Sequence, residues 1–272
     1  MIEADEPTTE TYLKLWKDAM HTGNAVVTEA KKYFKRELTD EQRNFIDQLA
    51  LRTQICIKAS KLMYVHGHVL YLAIRDYLQR HNDIKHINIL ETGTARGFSA
   101  VCMSKALSDA NRSGTITTYD ILPHEKMMKW NCIVDFEDSC VGQTNRIKIL
   151  KPWENLTDNI RFLVADTRKG LHSDDHSRIH FAFLDAQHDY KHLSHELNYT
   201  MNRQQHGDVI VCDDYTKYHK ENIGINGVKG PYQYPGIIKA VDEFIKKGIY
   251  DHKIFYADDG TKKRGYVYLV HR

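Results

Sequence analysis

The sequence predicts an α/β protein: a doubly wound, mostly parallel sheet of seven strands with an antiparallel last strand, preceded by an N-terminal helical cap. Three observations carry this. From Ile87 onward, short apolar runs alternate with helix-length segments, the pattern of a parallel sheet covered by helices on both faces. The first run, Ile87-Asn88-Ile89-Leu90, ends at Glu91, and Gly93 and Gly97 then turn the chain sharply into a helix from Phe98 to Leu107. An acidic residue stands after each of five successive strands: Glu91, Asp120, Asp166, Asp185 and the Asp213-Asp214 pair.

Before Ile87 the periodicity is helical. Thr8 to Phe34 carries an apolar stripe that includes Leu15, Trp16 and Ala19. Thr39-Asp40-Glu41-Gln42 is a capping-box start for a second helix running toward Leu62. Val65 to Leu78 reads as a third, with Val69, Leu70, Leu72, Ala73 and Tyr77 apolar. No linker rich in Gly, Pro or Ser follows, so residues 1–86 are expected to cap a domain spanning 87–272. Further strands are expected at 115–119, 160–165, 179–184, 209–212, 253–257 and 266–270, with a helix at 237–246. Asp258-Asp259-Gly260 reads as the turn of a closing hairpin, which makes the last strand antiparallel. Thr216 to Gly236 is long for a loop and carries Tyr218, Tyr232 and Tyr234; it reads either as an aromatic lid or as a tether to the next helix.

Composition excludes several classes. A net charge of +2 gives no reason to expect nucleic acid or an anionic membrane as partner. The acidic N-terminus lacks the apolar stretch of a signal peptide, and no run of about 18 apolar residues suggests a transmembrane span. The five cysteines form no C-x-x-C pair, which argues against zinc ribbons and thiol redox chemistry; Cys102 and Cys212 lie in apolar runs and read as core thiols. A reducing, cytoplasmic setting is expected.

Ligands of open α/β sheets bind beyond the carboxyl ends of the strands. One or two acids there are explained by turns and helix caps; five in register point to a site. Asp120, downstream of Gly93, is placed like the acid that holds ribose hydroxyls. The glycines do not follow G-x-G-x-x-G, since Ala95 and Phe98 stand where that pattern needs glycine. A nucleoside cofactor without a pyrophosphate fits better, which points to S-adenosylmethionine.

The stretch Leu90-Glu91-Thr92-Gly93-Thr94-Ala95-Arg96-Gly97-Phe98-Ser99-Ala100-Val101 resembles motif I of the catechol-type O-methyltransferases, class I enzymes with a Rossmann-like sheet. The chain resembles still more the macrocin O-methyltransferase type family, which includes cephalosporin-hydroxylase-like proteins. That family carries a D-x-x-H-x-Y signature, here Asp185-Ala186-Gln187-His188-Asp189-Tyr190, and an acidic pair, here Asp213-Asp214. The resemblance covers about residues 65 to 270, apart from an insertion between Leu122 and Asn159. It implies that Gly93, Gly97 and Ser99, with Glu91, Thr92, Thr94 and Phe98 around them, serve the methionine end of S-adenosylmethionine. Asp120 would hold the ribose, and Asp166 with Thr167 the adenine edge. Asp185, Asp213 and Asp214 would hold a divalent metal, with Asp185 also beside the cofactor. His188 would be the general base.

Three hard carboxylates suit Mg²⁺, which prefers oxygen ligands. A hydroxyl beside such a cation becomes more acidic, and His188 can take its proton near neutral pH. His192 and His195, further along the same helix, are expected to be solvated. The chain contains no Pro-Pro, hence no N/D-P-P-Y/F motif of nitrogen methylation, and no H-E-x-x-H of a zinc protease. The expected reaction is Mg²⁺-dependent O-methylation of a small hydroxylated molecule, such as a sugar. Self-association into a homo-oligomer is left open. The alternatives are an iron-dependent hydroxylase and a non-catalytic cofactor-binding protein.

Overall fold

The computed structural model describes residues 7–58, 60–137, 142–173, 176–219, 230–258, 260 and 262–272. Four helices come first: α1 (Thr9–Ala19), α2 (Asn24–Phe34), α3 (Asp40–Thr53) and α4 (Val65–Arg80). The single helix expected over 8–34 is two. Gly23 takes a left-handed conformation (φ +84°) between them, and a side chain there would strike Val65 and Met63. Thr39 and Gln42 form the expected capping box of α3. That helix stops at Thr53 instead of running toward Leu62. Gln54 and Ile55 both turn their amides back onto Ala50 O, and Arg96 takes the Thr53 carbonyl.

The alternating part follows the expected order with shifted ends: β1 (His86–Thr92), α5 (Phe98–Asp109), β2 (Ser113–Asp120), α6 (Arg146–Leu150), β3 (Ile160–Val164), α7 (Thr167–Ser173), β4 (Phe181–Leu184), α8 (Tyr190–Met201) and β5 (Val209–Cys212). A two-residue strand β6 (Lys217–Tyr218), α9 (Pro235–Ile245), β7 (Tyr250–Asp258) and β8 (Lys262–His271) complete it. The sheet therefore has eight strands among the described residues, not seven; the extra β6 is too short to leave a periodic signature. Strands β3-β2-β1-β4-β5 run parallel, and β8 enters antiparallel between β5 and β7. The chain winds from β1 to one side through β2 and β3 and to the other through β4 and β5. The switch point lies where Thr92 and Leu184 stand in register at the ends of β1 and β4.

Each sheet face has its own core. On one, α1 to α5 share a cluster with Ile87, Ile89, Phe181, Val209 and Tyr268. On the other, residues of α7, α8 and α9, among them Leu197 and Val241, pack on Leu90, Ala182, Ile210 and Leu269. α4 is buried along nearly its whole length, and Cys102 and Cys212 are core thiols as expected. The 122–159 insertion backs onto the glycine turn: Arg146 donates to Ala95 O, and Leu150 faces Gly97. Among the described residues no helix is long and apolar enough to cross a membrane.

Candidate active site

The carboxyl ends of the strands open into a cavity of about 770 Å³, large enough for a nucleoside cofactor and a small acceptor together. Gly93 sits at its centre. A Cβ there would lie 2.0 Å from the Asp185 carbonyl oxygen, and φ is +90°, so only glycine lets the ends of β1 and β4 meet. The amides of this turn do not point at a ligand. Those of Gly93 and Thr94 go to Tyr119 O, that of Ala95 to the Asp120 carboxylate and that of Gly97 to Thr94 O. The turn shapes the cavity floor sterically, which suits a cofactor without phosphate groups.

On the β2–β3 side, Asp120 lines the cavity and accepts from Ala95 N (2.6 Å) and Leu122 N (2.8 Å), with Arg146 at 3.7 Å. Asp166 lines it too, and Arg168, donating to it at 2.9 Å, lowers its carboxyl to about 2. Thr167 donates to Glu196 (2.6 Å), which also accepts from Thr92 (3.0 Å). Glu196 is fully buried, and desolvation pushes its carboxyl up to about 7. His192 lines the cavity, with Nδ1 2.6 Å from Asp189. His195 packs against His172 instead.

At the centre and on the β5–β8 side, Asp185, His188 and Asp214 each offer a ligand atom, all within 4.8 Å of one another. His188 Nε2 lies 3.6 Å from Asp185 Oδ1 and 3.1 Å from Asp214 Oδ2. Burial and the Asp213 charge raise the Asp185 carboxyl to about 7. Burial opposes a charge on His188, but the Asp185 and Asp214 carboxylates beside it outweigh that and lift the imidazole to about 9. Asp213, expected as the third metal carboxylate, faces elsewhere. It is bound by Arg264 through Nε (3.0 Å) and Nη2, which hold its carboxyl below the usual range against the cost of burial. The set brought together is thus Asp185, His188 and Asp214, with Asp213 paired behind it. Asp214 itself takes a left-handed conformation, φ +58°.

Other residues expected to touch the cofactor lie behind the cavity wall. Glu91 is buried and accepts from Thr118, with desolvation lifting it to about 7. Thr94 hydrogen-bonds Thr118, Ser99 bonds Glu91, and Phe98 packs on His66. Gly97 faces Leu150. Tyr234, from the stretch read as lid or tether, lines the cavity with its ring 4.5 Å from that of His188; residues 220–229 of that stretch lie outside the described residues. Sequence reasoning missed Arg264, Glu196, Lys58 and Lys61. Arg264 and Glu196 had no motif around them, and the lysines sit in a connection between helices.

Residues 90–215, somewhat under half of the chain, match the family described as a methyltransferase domain. No curated protein matches the chain. Among solved structures, the chain is similar to the O-methyltransferase NovP, at 15% identity over 97% of this chain and 99% of that one, with a TM-score of 0.53. It is similar to the O-methyltransferase from Bacillus cereus in complex with SAH, at 17% identity over 85% and 89%, TM-score 0.50. A third is the O-methyltransferase TomG from Streptomyces achromogenes, involved in tomaymycin synthesis and bound to SAM, at 14% identity over 100% of both chains, TM-score 0.50. At such identities the structures establish the fold, that of the Rossmann-like methyltransferases. On that fold, residues 90–215 carry the match to a methyltransferase domain.

Proposed function

We propose that the protein transfers a methyl group from S-adenosylmethionine to a hydroxyl of a small molecule, in the manner of the macrocin-type O-methyltransferases. The observation that carries this is the Asp185–His188–Asp214 group, which lines one cavity together with Asp120 and Tyr234. The three structures above, each described as an O-methyltransferase, support it. The donor set fits a divalent cation such as Mg²⁺, because the Asp185 and Asp214 carboxylates supply hard oxygens in one place. Such a cation makes a neighbouring hydroxyl more acidic.

The chain's own residues do the rest. Asp120 accepts from the ribose, and Asp166 with Thr167 border the adenine. Asp185 and Asp214 fix the acceptor side. His188 takes the hydroxyl proton at Nε2 once the negative charge around it is balanced, and Tyr234 packs on the imidazole to hold it there. An iron-dependent hydroxylase has less behind it, since non-haem iron sites of that kind use two histidines and one carboxylate. Here one histidine stands with two carboxylates.

Calorimetry with S-adenosylhomocysteine tests the reading. Binding is expected, and Asp120→Ala should weaken it by about 1–3 kcal/mol, the range for a lost charged hydrogen bond. Binding of NAD in its place would overturn it. A screen of sugars and hydroxylated rings with labelled S-adenosylmethionine then identifies the acceptor.

A further inference from the structure

We propose that the acceptor carries an anionic group, a carboxylate or a phosphate, held by Lys58 and Lys61 beside the Asp185–His188–Asp214 group. This rests on the methyl-transfer reading of the same cavity and names its substrate class.

Cations are unevenly spread along the cavity. Its β2–β3 side presents Asp120 and Asp166, the latter paired with Arg168. Its other side is lined by Lys58, Lys61, Lys262 and Arg264, with Asp214 as the acid between them. The three acids there share two nearby cations: Arg264 lies against Asp213 and Asp214, and His188 against Asp214 and Asp185. Lys262 donates to Gln233 (2.8 Å). Lys58 and Lys61 have no carboxylate partner among the described residues, although Lys58 lies within electrostatic reach of both Asp214 and Arg264. A divalent cation at Asp185 and Asp214 would increase the local excess of positive charge.

The lysines are also held in place. Ile57, just before Lys58, is fixed by Asn131, which accepts from its N–H (3.1 Å) and donates to its carbonyl (2.8 Å). Just after Lys61, Leu62 and Met63 are buried. The backbone is thus anchored at Ile57 before the lysines and at Leu62 after them, and Lys58 lies near Arg264, where like charges repel. A bound anion relieves that repulsion, and a recess with an excess of positive charge concentrates such ligands before they dock.

The test compares wild type with Lys58→Gln/Lys61→Gln, both loaded with S-adenosylhomocysteine and Mg²⁺. Inorganic phosphate, followed by calorimetry, should bind wild type and lose about tenfold or more in affinity in the double variant, the size of one charge-assisted hydrogen bond. Glucose, glucuronate and glucose 6-phosphate separate the sources: a preference for the second assigns a carboxylate, and for the third a phosphate. Either preference must vanish in the double variant. The proposal is overturned if wild type binds none of the three anions, or if the double variant binds them undiminished. Unchanged S-adenosylhomocysteine affinity in the double variant shows that the fold is intact. Failure of wild type to bind S-adenosylhomocysteine would instead sink the methyl-transfer reading, while the phosphate titration still reports on the lysines.

Discussion

Arg264 grips Asp213 with two hydrogen bonds, and its Nε lies 3.3 Å from Asp214 as well. One guanidinium from β8 thus neutralises the acidic pair at the end of β5, and it sorts the two carboxylates: Asp213 is committed to the pair, and Asp214 is left facing the cavity.

Arg264→Ala should therefore destabilise the fold by about 3–5 kcal/mol, the cost of stranding a buried charge. Denaturant unfolding measures it. A loss below about 1 kcal/mol, the level of a surface pair, would show that the pair is not structural.

Metal affinity separates the three aspartates. Asp185→Asn and Asp214→Asn should each weaken Mn²⁺ binding by more than the ~10–100-fold typical of an outer-shell partner. Asp213→Asn should stay within or below that range, because its carboxylate faces Arg264. Equal losses in all three variants would restore Asp213 as a direct ligand.

For His188 the sign is set by its raised pKa. The folded imidazole titrates at about 9, above its ordinary 6.5, so its contribution to stability is complete below pH 6.5 and lost as pH rises to 9. Thermal melts should show wild type losing its advantage over His188→Gln across that window, without added cation. Mg²⁺ should move the His188 imidazole resonance to titrate at lower pH, since it supplies the positive charge that the two carboxylates otherwise draw from the ring. A titration unmoved by Mg²⁺ would count against a cation at this site.

Gly93→Ala should cost about 2–5 kcal/mol, combining overpacking with backbone strain, because its Cβ would meet fixed backbone at Asp185. Gly97→Ala should cost less: the obstacle is the end of the Leu150 side chain, which can rotate. Equal melting temperatures for the two variants would contradict the distinction.

Buried Glu196, linking Thr92 to Thr167, titrates at about 7 against an ordinary 4.5. Its stabilising contribution is complete below pH 4.5 and falls as pH rises through 7, because the folded state resists its ionisation. Glu196→Gln should thus gain roughly 1–3 kcal/mol over wild type at pH 8 and little at pH 5. Melts at the two pH values decide it.

The sheet and the strand-end acids were legible because apolar runs and their terminal carboxylates are local in sequence: 209–212 falls on β5 as read. The break at Gly23 was not, since it depends on Val65 at the start of α4 and Met63 just before it approaching the turn. The metal carboxylates were implied by the family resemblance, and an adjacent acidic pair in a motif cannot tell Asp213 from Asp214. What separates them is Arg264, 51 residues away in sequence. The place of His192 at the cavity was not legible, because the cavity is made by strand ends that only the topology brings together.

The place of β8 in the sheet also bears on how the site comes into being. Two adjacent aspartates end β5, and during folding they repel each other until a strand from far along the chain brings their counter-charge. Pairing of β8 with β5 closes a long loop, so the acidic pair gains its partner only when the hairpin of β7 and β8 docks. Competence to bind a cation should consequently follow docking of that hairpin during refolding. Substitutions that loosen that hairpin, remote from the cavity, would then surface first as a defect at the acidic cluster.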